Sequence, residues 1–174
     1  MPTVMTHAVV GLGLAELFPL PTKPPLVWCL SAALAALPDL DVVGLPLGVP
    51  YGSVFGHRGF FHSLSFSVLV GLIAALLSSR AIAASWWQLW LFFTILTASH
   101  GILDGFTNGG LGIAYFSPFD TRRYFFPWQP IQVSPIGRAF FSKWGLRVMR
   151  SEVLWVWLPR AAVVGSVRLW RTGR

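Results

Sequence analysis

The stretch FFHSLSFSVLVGLIAALLSS, residues 60–79, decides the fold class. Its one ionisable side chain is His62, and Arg80 closes it. At about 1.5 Å per residue, a helix of about 20 residues matches a bilayer hydrocarbon core of about 30 Å. The stretch therefore predicts a membrane-spanning helix. The composition of the whole chain agrees: 55% of its 174 residues are hydrophobic and 11% are charged, against about 25% charged in ordinary soluble domains. Disorder is excluded, and an ordinary cytosolic globule does not fit.

Reading towards the C-terminus, Trp86–Leu103 is the next apolar run, opening on Trp86, Trp87 and Trp90. Tryptophan at a span end suits the membrane interface. Residues 105–152 form a long Gly-, Pro- and aromatic-rich segment, and 153–167 a last apolar run interrupted by Pro159 and Arg160. That interruption predicts a helix that spans poorly or lies in the interface.

Towards the N-terminus, residues 38–59 read as a long Gly- and Pro-rich loop. Leu26–Leu37 is an apolar helix only about 18 Å long, stopped by Pro38. A first helix covers roughly 4–18 and ends at Pro19 and Pro21. It lacks the basic start and small-residue cleavage site of a signal peptide. The sum is an all-α integral membrane bundle of four to five hydrophobic helices with long Gly/Pro-rich loops. It is one domain over 1–174, with a basic C-terminal extension at 153–174.

The net charge is +7, with one cysteine, Cys29. In a soluble protein that charge would suggest nucleic acid. In this composition it fits cytoplasmic loops and anionic lipid headgroups instead, so membrane lipids are the expected partners and nucleic acid is not. Cys29 lies in an apolar run and reads as a buried thiol, and alone it excludes an internal disulfide. If the first four helices all cross, the N-terminus, the 38–59 loop and the segment after 104 share one side. That side carries Arg58, Arg122, Arg123, Arg138, Lys143, Arg147 and Arg150, so it should be cytoplasmic.

The same topology gathers ionisable residues at one end of the bundle. His7 opens the first helix, Asp39 and Asp41 follow the second, His57 and His62 bracket the start of the third, and His100 and Asp104 close the fourth. Ionisable groups in apolar segments are usually paired or functional. His100 and Asp104, four apart, share one helix face and either bind one metal or hydrogen-bond each other. Asp39 and Asp41 point to one face if the segment is extended. His57 and His62 lie about 140° apart on a continuous helix, but Gly56 and Gly59 allow a bend. Imidazole and carboxylate without thiolate suit one or two divalent ions, Zn first, then Mn or Fe. Asp39, Asp41 and Asp104 are the candidate catalytic carboxylates. Arg58, Arg122 and Arg123 are candidates for holding a substrate phosphate. Glu16 reads as interfacial. Asp120 and Glu152 read as local ion pairs with Arg122 and Arg150.

Thr6-His7 with Gly11, Pro38-Asp39-Leu40-Asp41, His57-Arg58-Gly59-Phe60-Phe61-His62-Ser63 and His100-x3-Asp104 with Asn108 and Gly109 recur here in order. As an ordered set they resemble the DUF457, YdjM-like, family of bacterial and archaeal inner-membrane proteins, described as metal-dependent hydrolases. The likeness covers about residues 5–135 and extends to Pro118-Phe119 and Arg122-Arg123. It implies a multi-pass inner-membrane protein whose ligand pool is His7, Asp39, Asp41, His57, His62, His100 and Asp104. The expected activity is hydrolysis of a phosphoester or lipid-linked substrate at the membrane surface. The competing expectations are a transporter that moves ions through the cluster, and a non-catalytic protein whose metal staples short helices.

Overall fold

The computed structural model describes residues 1–173. Its helices are α1 (Val4–Leu17), α2 (Pro25–Ala36), α3 (Leu64–Ser78), α4 (Trp86–Gly105), α5 (Lys143–Glu152) and α6 (Leu158–Thr172). No strand forms among the described residues, and only isolated bridges such as Ile113–Tyr124 tie the irregular 106–142 segment. α1 packs on α2, α3 on α4, and α2 crosses to α4. Leu34 of α2 and Leu89, Phe92, Phe93 and Leu96 of α4 centre the apolar core.

The helices begin where local chemistry starts them. Thr3 caps α1 by accepting from the Thr6 N–H, and Ser63 caps α3 by accepting from the Phe66 N–H. Ser85 and Gln88 form a reciprocal capping box on α4.

Several expectations change. The run at 60–79 is not one span: Phe60–His62 is a single 3₁₀ turn, Ser63 restarts the chain, and α3 has 15 residues. The hydroxyl of Ser63 satisfies an N–H that a longer helix would have bonded itself. Conversely, Pro38 does not end the second helix in a loop. The chain tightens into a 3₁₀ helix, Leu37–Gly44, with Pro38 near its start, where a missing N–H is tolerated. Pro25–Gly44 thereby becomes 20 residues and is the one stretch among the described residues long and apolar enough to cross a bilayer. The expected all-helical bundle is found, and this is its one helix among the described residues that meets that length and apolarity.

The last apolar run is not broken at Pro159 and Arg160. A π turn, Val153–Trp157, joins α5 to α6 and absorbs the proline in the first turn of α6. The resulting rod follows α1: Glu152 meets Thr3, Trp157 meets Thr6, and Arg168 meets Glu16. Glu152 is therefore not an ion pair of Arg150. Finally, Cys29 is exposed on α2, not buried. Arg174, the end of the basic extension, lies outside the described residues.

α3 buries Ser67, Gly71, Ala75 and Ser78 and exposes Leu69, Ile73, Leu76 and Leu77. Small residues inside and large apolar residues outside are what a helix adopts when its surroundings are as apolar as its neighbours.

Candidate metal centre

Up-and-down packing brings the start of α1, the end of α2, the turn before α3 and the last turns of α4 to one end of the bundle. There His7, His57, His62 and His100 and the carboxylates Asp39, Asp41 and Asp104 are all buried. Close approach of α1 to α2 is required for this. A Cβ on Gly11 would lie 2.3 Å from the Ser31 carbonyl oxygen and 2.7 Å from Ala35 Cβ. Ala35 matters because its carbonyl accepts from His100 Nδ1 at 2.8 Å.

That bond sets the histidine's chemistry. A carbonyl only accepts, so Nδ1 carries the hydrogen and His100 Nε2 presents a lone pair. Asp41 Oδ2 lies 3.1 Å from His62 Nδ1, an ion-pair distance without a formed hydrogen bond. The Nε2 of His62 lies at hydrogen-bond distance, 3.1 Å, from His100 Nε2. Into the same space come Asp39 Oδ1, 3.2 Å from His100 Nε2 and 3.8 Å from His62 Nε2, and Asp104 Oδ2, 3.5 Å from His62 Nε2. One donor atom each from Asp39, His62, His100 and Asp104 lies within 4.8 Å of all the others. None of the four Asp39 and Asp104 carboxylate oxygens makes a hydrogen bond. Two carboxylates crowded around imidazole nitrogens in a water-poor interior call for positive charge among them, beyond the Arg58 guanidinium that reaches Asp104 alone. The residues therefore fit a metal ion, and this buried His/Asp group could hold one.

Asp41 does not share a face with Asp39. In a 3₁₀ helix, residues two apart are about 120° apart. Asp39 thus turns to His100, and Asp41 to His57, 2.6 Å away, and His62. A second group, Asp41, His57 and His62, also has metal-ligand spacing, but its contacts are already of hydrogen-bond length. A carboxylate behind a ligating imidazole orients the ring and raises its basicity. His7 stacks on His100 with ring centroids 3.6 Å apart. Its Nε2 lies 3.4 Å from Asp104 Oδ1 and 4.0 Å from Asp39 Oδ2, at the edge of the four-atom group.

The arginines separate. Arg58 is fully buried, with Nε 3.2 Å from Asp104 Oδ2 and its terminal nitrogens donating to the Gly109 carbonyl at 2.6 Å and Thr107 Oγ1 at 2.8 Å. Its backbone is left-handed, φ 64°, which is strained for a residue with a Cβ. The Asp41 carboxylate accepts its N–H at 3.2 Å. Gly110, at φ 91°, leaves room for the guanidinium, where a Cβ would lie 2.6 Å from it. Arg123 donates to the carbonyls of His57 and Ser53, holding the loop that carries His57, and burial lowers its pKa. Arg122 stays on the surface, its side chain 79% exposed and 2.7 Å from Asp120, as the local ion-pair reading expects. It is not brought to the His/Asp cluster. Burial pushes up the phenol of Tyr51, which packs edge-on to His57.

Sequence reading did not find three supports: the Ala35 carbonyl, Thr107 and Glu152. The first has no side-chain signature. Glu152 is fully buried and accepts from Thr3 Oγ1 at 2.7 Å and Thr6 Oγ1 at 2.5 Å, one turn before His7. A Thr-x-x-Thr start facing a lone acid far along the chain was the available hint.

With this geometry in view, comparison with known proteins is informative. The profile of the family described as YdjM inner membrane protein matches residues 1–172. The chain is 42% identical to inner membrane protein YbcI of Escherichia coli (strain K12), over 98% of this chain and 99% of that one. No solved structure matches.

Proposed function

The chain belongs to the YdjM inner membrane protein family, and from that premise we propose that it is a divalent-metal-dependent hydrolase of phosphoester or lipid-linked substrates at the membrane surface. The observation that carries the reading is the convergence of Asp39, His62, His100 and Asp104 on one buried point with no hydrogen bond to any of the four carboxylate oxygens.

His62 and His100, through Nε2, and Asp39 and Asp104, through carboxylate oxygens, would hold a Zn, Mn or Fe ion. Such an ion supplies Lewis acidity and a lowered pKa for water. Asp41 holds His62 in register, with His57 behind it, and Arg58 balances the charge of Asp104. His7 Nε2 faces both ligand carboxylates and makes no hydrogen bond. It is the group placed to take a proton from attacking water and return one to the leaving oxygen. Arg123, half-buried and bonded to the His57 carbonyl, is assigned to the substrate anion. The cluster's place at helix ends favours surface chemistry over transport through the bilayer.

Elemental mass spectrometry of the purified protein tests this. One or two equivalents of a transition metal are expected, lost in His100→Ala and in Asp104→Asn. His7→Gln is expected to keep the metal and lose hydrolysis of alkyl phosphoesters. Absence of metal after loading with Zn or Mn, or full retention in both ligand variants, overturns the proposal.

A further inference from the structure

A cavity of about 330 Å3 lies between the start of α1, the 3₁₀ helix after α2 and the 134–140 turn. Its size falls within the range of small-molecule sites, about 300–1,000 Å3. Met5, Val42, Ile136 and Phe140 supply apolar walls, and its one ionisable side chain is Asp39. Asp39 therefore lies between the two: its carboxylate oxygens are buried towards His62 and His100, and the residue itself forms part of the cavity wall.

The lining polar side chains are already engaged. Thr3 Oγ1 donates to Glu152 at 2.7 Å, and Ser134 Oγ to the Pro135 carbonyl at 3.2 Å. A sugar, nucleotide or peptide would bury hydrogen-bonding groups here without side-chain partners, which is costly. An alkyl chain would not. The outer walls are half-open and apolar, with Val4 53%, Met5 46% and Ile136 46% exposed. The chain belongs to an inner-membrane family, so the acyl chains of the surrounding lipid are the apolar ligands at hand.

We infer that this cavity is the chain-binding subsite of a phospholipid, seating an acyl chain against Met5, Val42, Ile136 and Phe140 so that its phosphoester meets the cluster at Asp39. The inference rests on the hydrolase reading for the chemistry at Asp39, and stands apart from it in what it binds. Hydrophobic burial supplies the affinity, and the amino group of Met1, which lines the cavity together with Asp39, is the basic group placed to meet the phosphoester. Methionine walls adapt to chains of different length.

The test is photo-crosslinking of the full chain in nanodiscs, using a phosphatidylglycerol with a diazirine in one acyl chain and peptide mapping of the adducts. Adducts are expected at Met5, Val42 and Phe140 above those on the outward face of α3. They should fall about tenfold in Ile136→Trp and Met5→Trp, which fill the cavity. Neither residue is a proposed ligand, so metal content should stay at the wild-type level. Wild-type adducts confined to outward faces such as Leu69 and Leu77 overturn the inference, whatever the Trp variants do. So do cavity adducts that survive both plugs. Metal content and hydrolysis of a short water-soluble alkyl phosphoester are read separately. Their loss with cavity labelling intact refutes the hydrolase, and the converse refutes only the lipid subsite.

Discussion

Asp41 and Arg58 show how much the cluster depends on residues that do not join its central four atoms. Asp41 holds His57 at 2.6 Å and His62 at 3.1 Å and accepts the strained Arg58 N–H. Asp41→Asn keeps the shape but loses the charge that orients His62. Metal affinity should fall about 10–100-fold without loss of fold, as for other residues behind metal-bound histidines. Competition with a chelator measures this. Arg58→Ala leaves Asp104 buried without its cation and should destabilise the metal-free protein by about 3–5 kcal/mol. Thermal unfolding in detergent reads the loss, and an unchanged midpoint would show that the ion pair contributes nothing. Arg58 and Asp41 were visible as candidates, but their roles were not. Roles here follow from a left-handed backbone and a 3₁₀ pitch, neither of which spacing alone reveals.

At the scale of elements, the two pitch changes determine the architecture. The 3₁₀ helix splits Asp39 from Asp41, and the π turn lets the C-terminal rod run on beside α1. Glu152 fastens that rod by accepting from Thr3 and Thr6. Glu152→Gln retains one accepting oxygen and should weaken the attachment by about 1.5–3 kcal/mol, the usual contribution of hydrogen bonds to a charged group. Hydrogen exchange should then quicken across 143–172 and in the first turn of α1, with little change in α3. The contact between α1 and α2 is similarly demanding. Gly11→Ala places a Cβ on the Ser31 carbonyl, and should destabilise by about 1–3 kcal/mol and lower metal content by displacing Ala35 from His100. Gly165→Ala, with nothing within 4 Å, is the matched control and should be silent in metal content.

For the whole molecule, the family places the chain at the inner membrane, and one stretch, Pro25–Gly44, has the length to cross it. Cys29, the single cysteine, lies on the exposed face of that stretch. In native membranes it should react with a lipophilic maleimide and resist a sulfonated one, and detergent plus denaturant should abolish the difference. Equal labelling by both reagents in intact membranes would place α2 in water.

Composition alone determined the class of this protein, because 11% charged residues cannot cover a soluble surface of this size. The order of the His and Asp motifs determined that they meet, since helices that alternate in direction return to the same end. Where each helix stops was not legible. Ser63 cuts a 20-residue apolar run, and Pro38 begins a new pitch where it was expected to end a helix, because capping and hydrogen-bond geometry outrank apolar periodicity at helix ends. Only the tertiary structure separated the four converging donor atoms from their supports, found the Ala35 carbonyl, left Arg122 at the surface and buried Glu152. Those outcomes depend on contacts as far as 149 residues apart, and local preference carries no information at that range.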